Sequence, residues 1–179
     1  IQAQTYYVKE GGAGNLSGSS WANASGDLQL MINQAASNTE IWVAAGTYLS
    51  SVNGFVLKND VKVYGGFPNI GNPIFVNRNP STYISVLSGE NTRRVFRNSF
   101  TPENLLTNTA VLDGFTISNG YFIGNGAGMY NSNASPILRN LRFENNHSDT
   151  GNGGAIYNTI SSSPDIVNCQ FFENSGYNG

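Results

Sequence analysis

The sequence predicts an all-β solenoid, a stack of short strands in which each pass of the chain lies on the one before. Three observations predict it. Residues 126–174 state one pattern twice, as GAGMYNSNASPILRNLRFENN from Gly126 and as GGAIYNTISSSPDIVNCQFFEN from Gly153. Tyr130 and Asn131 recur 27 residues later as Tyr157 and Asn158, while Pro136, Asn140, Phe143 and Asn146 recur 28 later as Pro164, Asn168, Phe171 and Asn174. An earlier copy shares the apolar positions: Leu112, Phe115 and Ile117 precede Leu138, Leu141 and Phe143 by 26 residues, and Ile166, Cys169 and Phe171 follow. A period of roughly 20–50 residues is that of units which bury their apolar faces only against their neighbours. The 21 Gly and abundant Asn supply tight turns between strands, since both tolerate positive φ.

The 179 residues allow one domain with a sizeable core. A hydrophobic share of 39% argues against disorder, and no apolar run approaches a membrane span. Charge is sparse and nearly balanced at −2, which gives no electrostatic case for nucleic acid or an anionic membrane surface. The one basic cluster, Arg93, Arg94 and Arg97, surrounds Val95 and Phe96. It reads as the solvated outer face of a strand, with a phosphate or uronate site as the alternative. Cys169 is alone and is expected to be buried and inert. Ile1-Gln2-Ala3-Gln4 resembles the residues around an export-signal cleavage point.

In chain order, 5–40 supplies an N-terminal strand and a capping helix. Thr5-Tyr6-Tyr7-Val8 is the strand and Gly11-Gly12-Ala13-Gly14-Asn15 a turn; Gly12, Gly14 and Gly18 have the wrong spacing for a nucleotide-binding loop. Leu28, Met31, Ile32, Ala35 and Ala36 form one apolar stripe on about three helical turns. Ser25 is placed to cap that helix and Asp27 to favour its dipole. Such a helix covers apolar side chains and strand edges that the end of a stack would expose.

Residues 41–110 read as irregular early rungs with long loops. Ile41-Trp42-Val43, Phe55-Val56-Leu57, Val61 to Tyr64, Tyr83 to Leu87 and Val95-Phe96 are the strands; Pro68 to Ser81 and Phe100 to Thr109 are the loops. Residues 111–179 hold the regular rungs, of about 26–28 residues. Within Leu138 to Phe143, alternation sends the arginines outward and Leu141 and Phe143 inward. Asn140 and Asn168 fall at a corner, where identical amides one rung apart can hydrogen-bond along the stack.

These residues resemble a known family. Gly126-Ala127-Gly128-Met129 and Gly153-Gly154-Ala155-Ile156, followed by Phe143-x-x-Asn146 and Phe171-x-x-Asn174, resemble the GGA-I and F-x-x-N repeats of polymorphic outer-membrane proteins and related surface adhesins. Upstream, Ser20 to Ala24, Asp27-Leu28-Gln29, Ile41 to Tyr48, Val63 to Phe67 and Leu87-Ser88-Gly89 are similar to the N-terminal part of large secreted proteins of Bacteroidetes-type bacteria. The resemblance implies a right-handed parallel β-helix with one N-terminal capping α-helix. It also implies export to the outer-membrane surface or the medium, with any anchoring or sorting module outside this segment. Gly176-Tyr177-Asn178-Gly179 resembles Gly124-Asn125-Gly126, so a segment of a longer protein is expected.

Enzymes on such folds need clustered carboxylates, often with Ca²⁺, and a basic residue on one groove face. Glu90, Asp113, Glu144, Asp165 and Glu173 are scattered, and Asp113 aligns with Arg139 and Val167, so no acidic column forms. Glu144 and Glu173 are expected to be solvated. His147, the only histidine, reads as a turn residue. Asp149 to Gly154 lacks the Glu and spacing of a calcium loop. No catalytic residue, metal ligand or cofactor is assigned. Tyr130 and Tyr157 stand beside core-facing Met129 and Ile156, so they should point outward, one above the other. The plain reading of that pair is structural stacking; the functional one is a platform for sugar rings, which makes both the ligand-binding candidates.

The expectation is an exported, adhesin-like module that binds glycans or other cell-surface components without catalysis. It has no nucleic-acid partner and makes no membrane insertion of its own. The alternatives are part of a polysaccharide lyase or hydrolase whose active groove lies outside this segment, and a structural stalk.

Overall fold

The computed structural model describes residues 4–177. The export-signal reading on Ile1 to Ala3 and the resemblance at Asn178-Gly179 lie outside the described residues. The chain is mostly β. It runs through β1 (Thr5–Val8), α1 (Leu28–Gln34), β2 (Thr39–Ala44), β3 (Gly46–Leu49), β4 (Val61–Phe67), β5 (Ser85–Ser88) and β6 (Phe96–Ser99). Then follow β7 (Val111–Asp113), β8 (Thr116–Ser118), β9 (Tyr121–Phe122), β10 (Met129–Ser132), β11 (Ile137–Arg139) and β12 (Arg142–Glu144). The last are β13 (His147–Ser148), β14 (Ile156–Thr159), β15 (Asp165–Val167) and β16 (Gln170–Phe172). Among the described residues no helix is long and apolar enough to cross a membrane.

Every pairing between these strands is parallel. One sheet orders β1-β2-β4-β7-β11-β15, a second β3-β5-β8-β12-β16, a third β6-β10-β14, and a small one pairs β9 with β13. From β4 onward the chain therefore visits the three larger sheets in a fixed order and returns to each one strand further along. Leu112, Leu138 and Ile166 are direct cross-strand partners, as are Ile117, Phe143 and Phe171. These are the neighbours that the 26–28-residue spacing predicts.

Short strands follow from the corners. Gly114, Asn140 and Asn168 separate the first sheet from the second at φ of 80°, 51° and 51°. Asn119, Asn145 and Glu173 do the same on leaving the second sheet, at 53°, 54° and 48°. Left-handed backbone stops a strand, and Gly and Asn adopt it at least cost. At Gly114 space decides too, since a Cβ there would sit 2.7 Å from the Pro80 ring and closer still to the Arg78 guanidinium.

Between the corners, alternate side chains turn inward. Ile41, Val63, Leu112 and Leu138 are fully buried in one column, Leu87, Ile117 and Phe143 in a second, and Phe96 and Met129 in a third. Each such side chain contributes about 1.5–3 kcal/mol through burial. At the last strands the columns meet solvent, with Ile166 44% and Phe171 49% exposed.

Five expectations are corrected. The helix spans seven residues, with Ala35 as its C-cap and Ala36 exposed. Its N-cap is Asp27, whose carboxylate accepts from the Leu30 amide at 2.9 Å, while Ser25 bonds to the backbone of Asp27. The helix still lies where a cap would, with Leu28, Met31 and Ile32 packed into the core beside β1 and β2. Phe55-Val56-Leu57 is no strand: Phe55 makes one isolated bridge to Phe96, and the Gln29 side chain holds both polar groups of the Val56 backbone. His147 lies in β13 and stacks on Tyr121 at 5.9 Å, so it is not a turn residue. Cys169 is half-buried, and burial raises its thiol pKa.

Candidate functional site

The candidate site lies on the outer face of the β6-β10-β14 sheet. Phe96, Met129 and Ile156 are cross-strand partners that turn toward the core, so the next residue of each strand turns out. Those residues are Arg97, Tyr130 and Tyr157, in register across the three strands. The two tyrosine rings stack with centroids 5.9 Å apart and planes 19° from parallel. Both sequence-derived candidates are thus brought together, half-buried and outward-facing.

One residue further, Asn98, Asn131 and Asn158 turn inward. Asn98 donates to Asn131 and Asn131 to Asn158, each at 2.9 Å, and Asn98 and Asn131 are fully buried. A parallel sheet lets identical amides satisfy one another in series, which removes the cost of burying them.

Arg94 completes the face, and here the sequence reading fails. The solvated-strand reading holds for exposed Arg97, but Arg94 is only 9% exposed. Its guanidinium lies 3.7 Å from the Phe122 ring centroid and 4.9 Å from that of Tyr130. Nε donates to the Gly126 carbonyl at 2.7 Å and Nη2 to the Asn125 carbonyl at 2.6 Å. Gly126 presents that carbonyl because it bends at φ 73°, and a Cβ there would come within 2.8 Å of the Met129 carbonyl. Among the described residues no carboxylate pairs with Arg94. Burial, and then the charge of Arg97, lower its pKa to about 10.

These groups line a cleft of about 750 Å³, with Arg93, Arg94, Arg97, Phe122, Asn125 and Tyr130 in its walls. Arg93 is neutralised, since it pairs with Glu90 and donates to the Ser50 carbonyl at 3.1 Å. Arg97 has no side-chain partner among the described residues. The sequence did not point to Phe122, Asn125 or Gly126. One signal was present: Arg94 and Arg97 flank two consecutive core residues, Val95 and Phe96, which breaks simple alternation and turns both arginines outward.

Elsewhere two carboxylates hold arginines. Asp113 holds Arg78 at 2.5 Å, and Glu144 holds Arg142. Asp113 lies between Arg139 on one side and Tyr64 on the other, so the alignment with Arg139 and Val167 stands. Among the described residues no three His, Cys, Asp or Glu side chains converge as a metal site would require.

No protein-family model, curated protein or solved structure matches this chain. The cleft is therefore the feature that bears on function. It offers two aromatic faces, one guanidinium held by carbonyls and one exposed guanidinium. Such an arrangement can hold a ring and a negative charge side by side.

Proposed function

We propose that this chain forms an exported right-handed parallel β-helix whose outer face binds glycans without turning them over. Support for the coil comes from the fixed order in which the chain, from β4 onward, revisits its three larger parallel sheets. Support for export comes from the resemblance of the Gly126 and Gly153 motifs to those of surface adhesins. The observation that carries the glycan reading is the outward row Arg97, Tyr130 and Tyr157, of which Arg97 and Tyr130 line a cleft of about 750 Å³. Ligand clefts measure about 300–1,000 Å³ and pair apolar walls with a few fixed polar groups.

The structure refines what Tyr130 contributes. One neighbour of its ring is Tyr157 and another is the Arg94 guanidinium, so the ring is engaged within the protein and meets a ligand with what remains. Tyr157 is the freer platform. The test is affinity electrophoresis of the protein through gels carrying neutral or acidic polysaccharides, with product analysis alongside. Retardation without new chain ends is expected, with Tyr157→Ala weakening it. Free migration in every gel, or the appearance of shortened or unsaturated products, would end this reading.

A further inference from the structure

We infer that the cleft selects anionic sugars, taking a carboxylate or sulfate between Arg94 and Arg97 while the sugar ring lies against Tyr130 and Phe122. The inference rests on the glycan reading above and names its substrate class.

Burying the Arg94 charge is costly. Arg94 is 9% exposed, and its charge is met by two carbonyls and two rings, with no anion. Carbonyl dipoles offset part of the desolvation of a cation but leave it uncompensated, so such groups are normally paired. In the same cleft stands another cation, Arg97, whose charge, after burial itself, lowers the Arg94 pKa. Two like charges sharing one cleft repel, and neither has a carboxylate partner among the described residues. An anion entering the cleft relieves both terms at once.

Placement agrees with this. Arg94 is held by the Asn125 and Gly126 carbonyls and clamped by Phe122 and Tyr130, so its guanidinium is pre-organised. Nη1 has no acceptor among the described residues, which leaves a donor for the ligand. Arg97 projects from β6 directly beside Tyr130 and is free to close on the same anion. Planar guanidinium forks suit carboxylate and sulfate oxygens, and the aromatic walls suit the apolar face of a sugar. A net charge of −2 keeps the rest of the surface from attracting polyanions indiscriminately.

Three of the other four arginines supply the control; the fourth, Arg139, stands alone on another sheet, in register with Asp113. Arg78, Arg93 and Arg142 each pair with a carboxylate. Only this cleft gathers two that do not.

The test uses titration calorimetry at low salt with three probes: a uronic-acid tetrasaccharide, a neutral glucose tetrasaccharide and sodium sulfate. Proteins are the wild type, Arg97→Gln, Arg97→Lys and, as a charge-matched control on another face, Arg139→Gln. The expected result is binding of the acidic sugar at least about tenfold tighter than the neutral one, lost in Arg97→Gln, partly kept in Arg97→Lys and unchanged in Arg139→Gln. Equal binding of both sugars overturns the inference and leaves the glycan reading standing. Binding of sulfate but of neither sugar, sensitive to Arg97→Gln, overturns the glycan reading and keeps the anion cleft. Arg139→Gln weakening the acidic sugar as much as Arg97→Gln shows diffuse attraction and overturns the inference. Arg97→Gln carries the test because its exposed side chain holds nothing in place, so folding is preserved.

Discussion

Arg78 and Arg94 occupy the same kind of seat on two faces of the molecule. Each guanidinium lies near two aromatic rings, Tyr64 and Phe75 for Arg78, Phe122 and Tyr130 for Arg94. In each, Nε donates to a glycine carbonyl, that of Gly65 or Gly126. They differ in the last partner. Arg78 reaches Asp113, while Arg94 reaches the carbonyl of Asn125. The first is a finished contact that pins the Pro68–Ser81 excursion to β7. The second has every fixing interaction except a counter-charge, which separates an arginine that holds the fold from one placed for something else.

The largest way to break this comparison is to remove the counter-charge where it exists. Asp113→Ala leaves Arg78 and the Asn140 amide without their shared acceptor and should cost about 3 kcal/mol in urea unfolding. Next comes the amide row beneath the cleft. Asn131→Leu fits the volume but strands the Asn98 donor in the core, at about 2 kcal/mol by the same measurement.

Alkaline titration sharpens the contrast. Arg94, with its folded pKa lowered to about 10, sheds its proton in the folded state before the unfolded chain does. Its burial penalty is present below that pH and fades above it, so it adds stability as pH rises. Buried Tyr48 acts oppositely: its phenol, donating to the Ala44 carbonyl, keeps its proton above the ordinary range, and the stability it gives is lost once the unfolded phenol ionises. Stability should decline above pH 10 more steeply in Arg94→Met than in the wild type, by up to about 1.4 kcal/mol per pH unit. Urea midpoints at pH 9, 10 and 11 measure it.

At neutral pH the same Arg94→Met variant should change stability by no more than about 1 kcal/mol, because no partner is left as a bare charge, and should abolish retention of acidic sugars. The smallest expected effect is Tyr157→Ala, which gives up one stacked pair and about 0.5 kcal/mol.

How much of this was legible follows from how far each feature reaches along the chain. The partnership of Leu112, Leu138 and Ile166 could be read because core positions repeat faithfully, and the outward Tyr130–Tyr157 pair follows from the same register. Asn140 and Asn168 could be read as a corner because their amide bond, Asn168 to Asn140 at 2.7 Å, joins equivalent positions. Arg94 could not. Its burial depends on Phe122 and on carbonyls at Asn125 and Gly126, which belong to the next pass and carry no side-chain signature. Val56 shows the same limit from the other side: its apolar neighbours look like a strand, but its backbone is satisfied by Gln29 from the helix.

The buried amides have one more consequence. A row of donors and acceptors in series has a sense, and no member can turn alone, since a reversed Asn131 would oppose nitrogen to nitrogen on one side and oxygen to oxygen on the other. The Leu57 N–H, which can only point at an oxygen, meets Asn98 Oδ1 at 3.0 Å and fixes that sense for the whole row. On another face Asp113, which can only accept, dictates the opposite direction to Asn140 and through it to Asn168. Two single groups thus orient five side chains, so a disturbance at either origin is felt at the far end of its row.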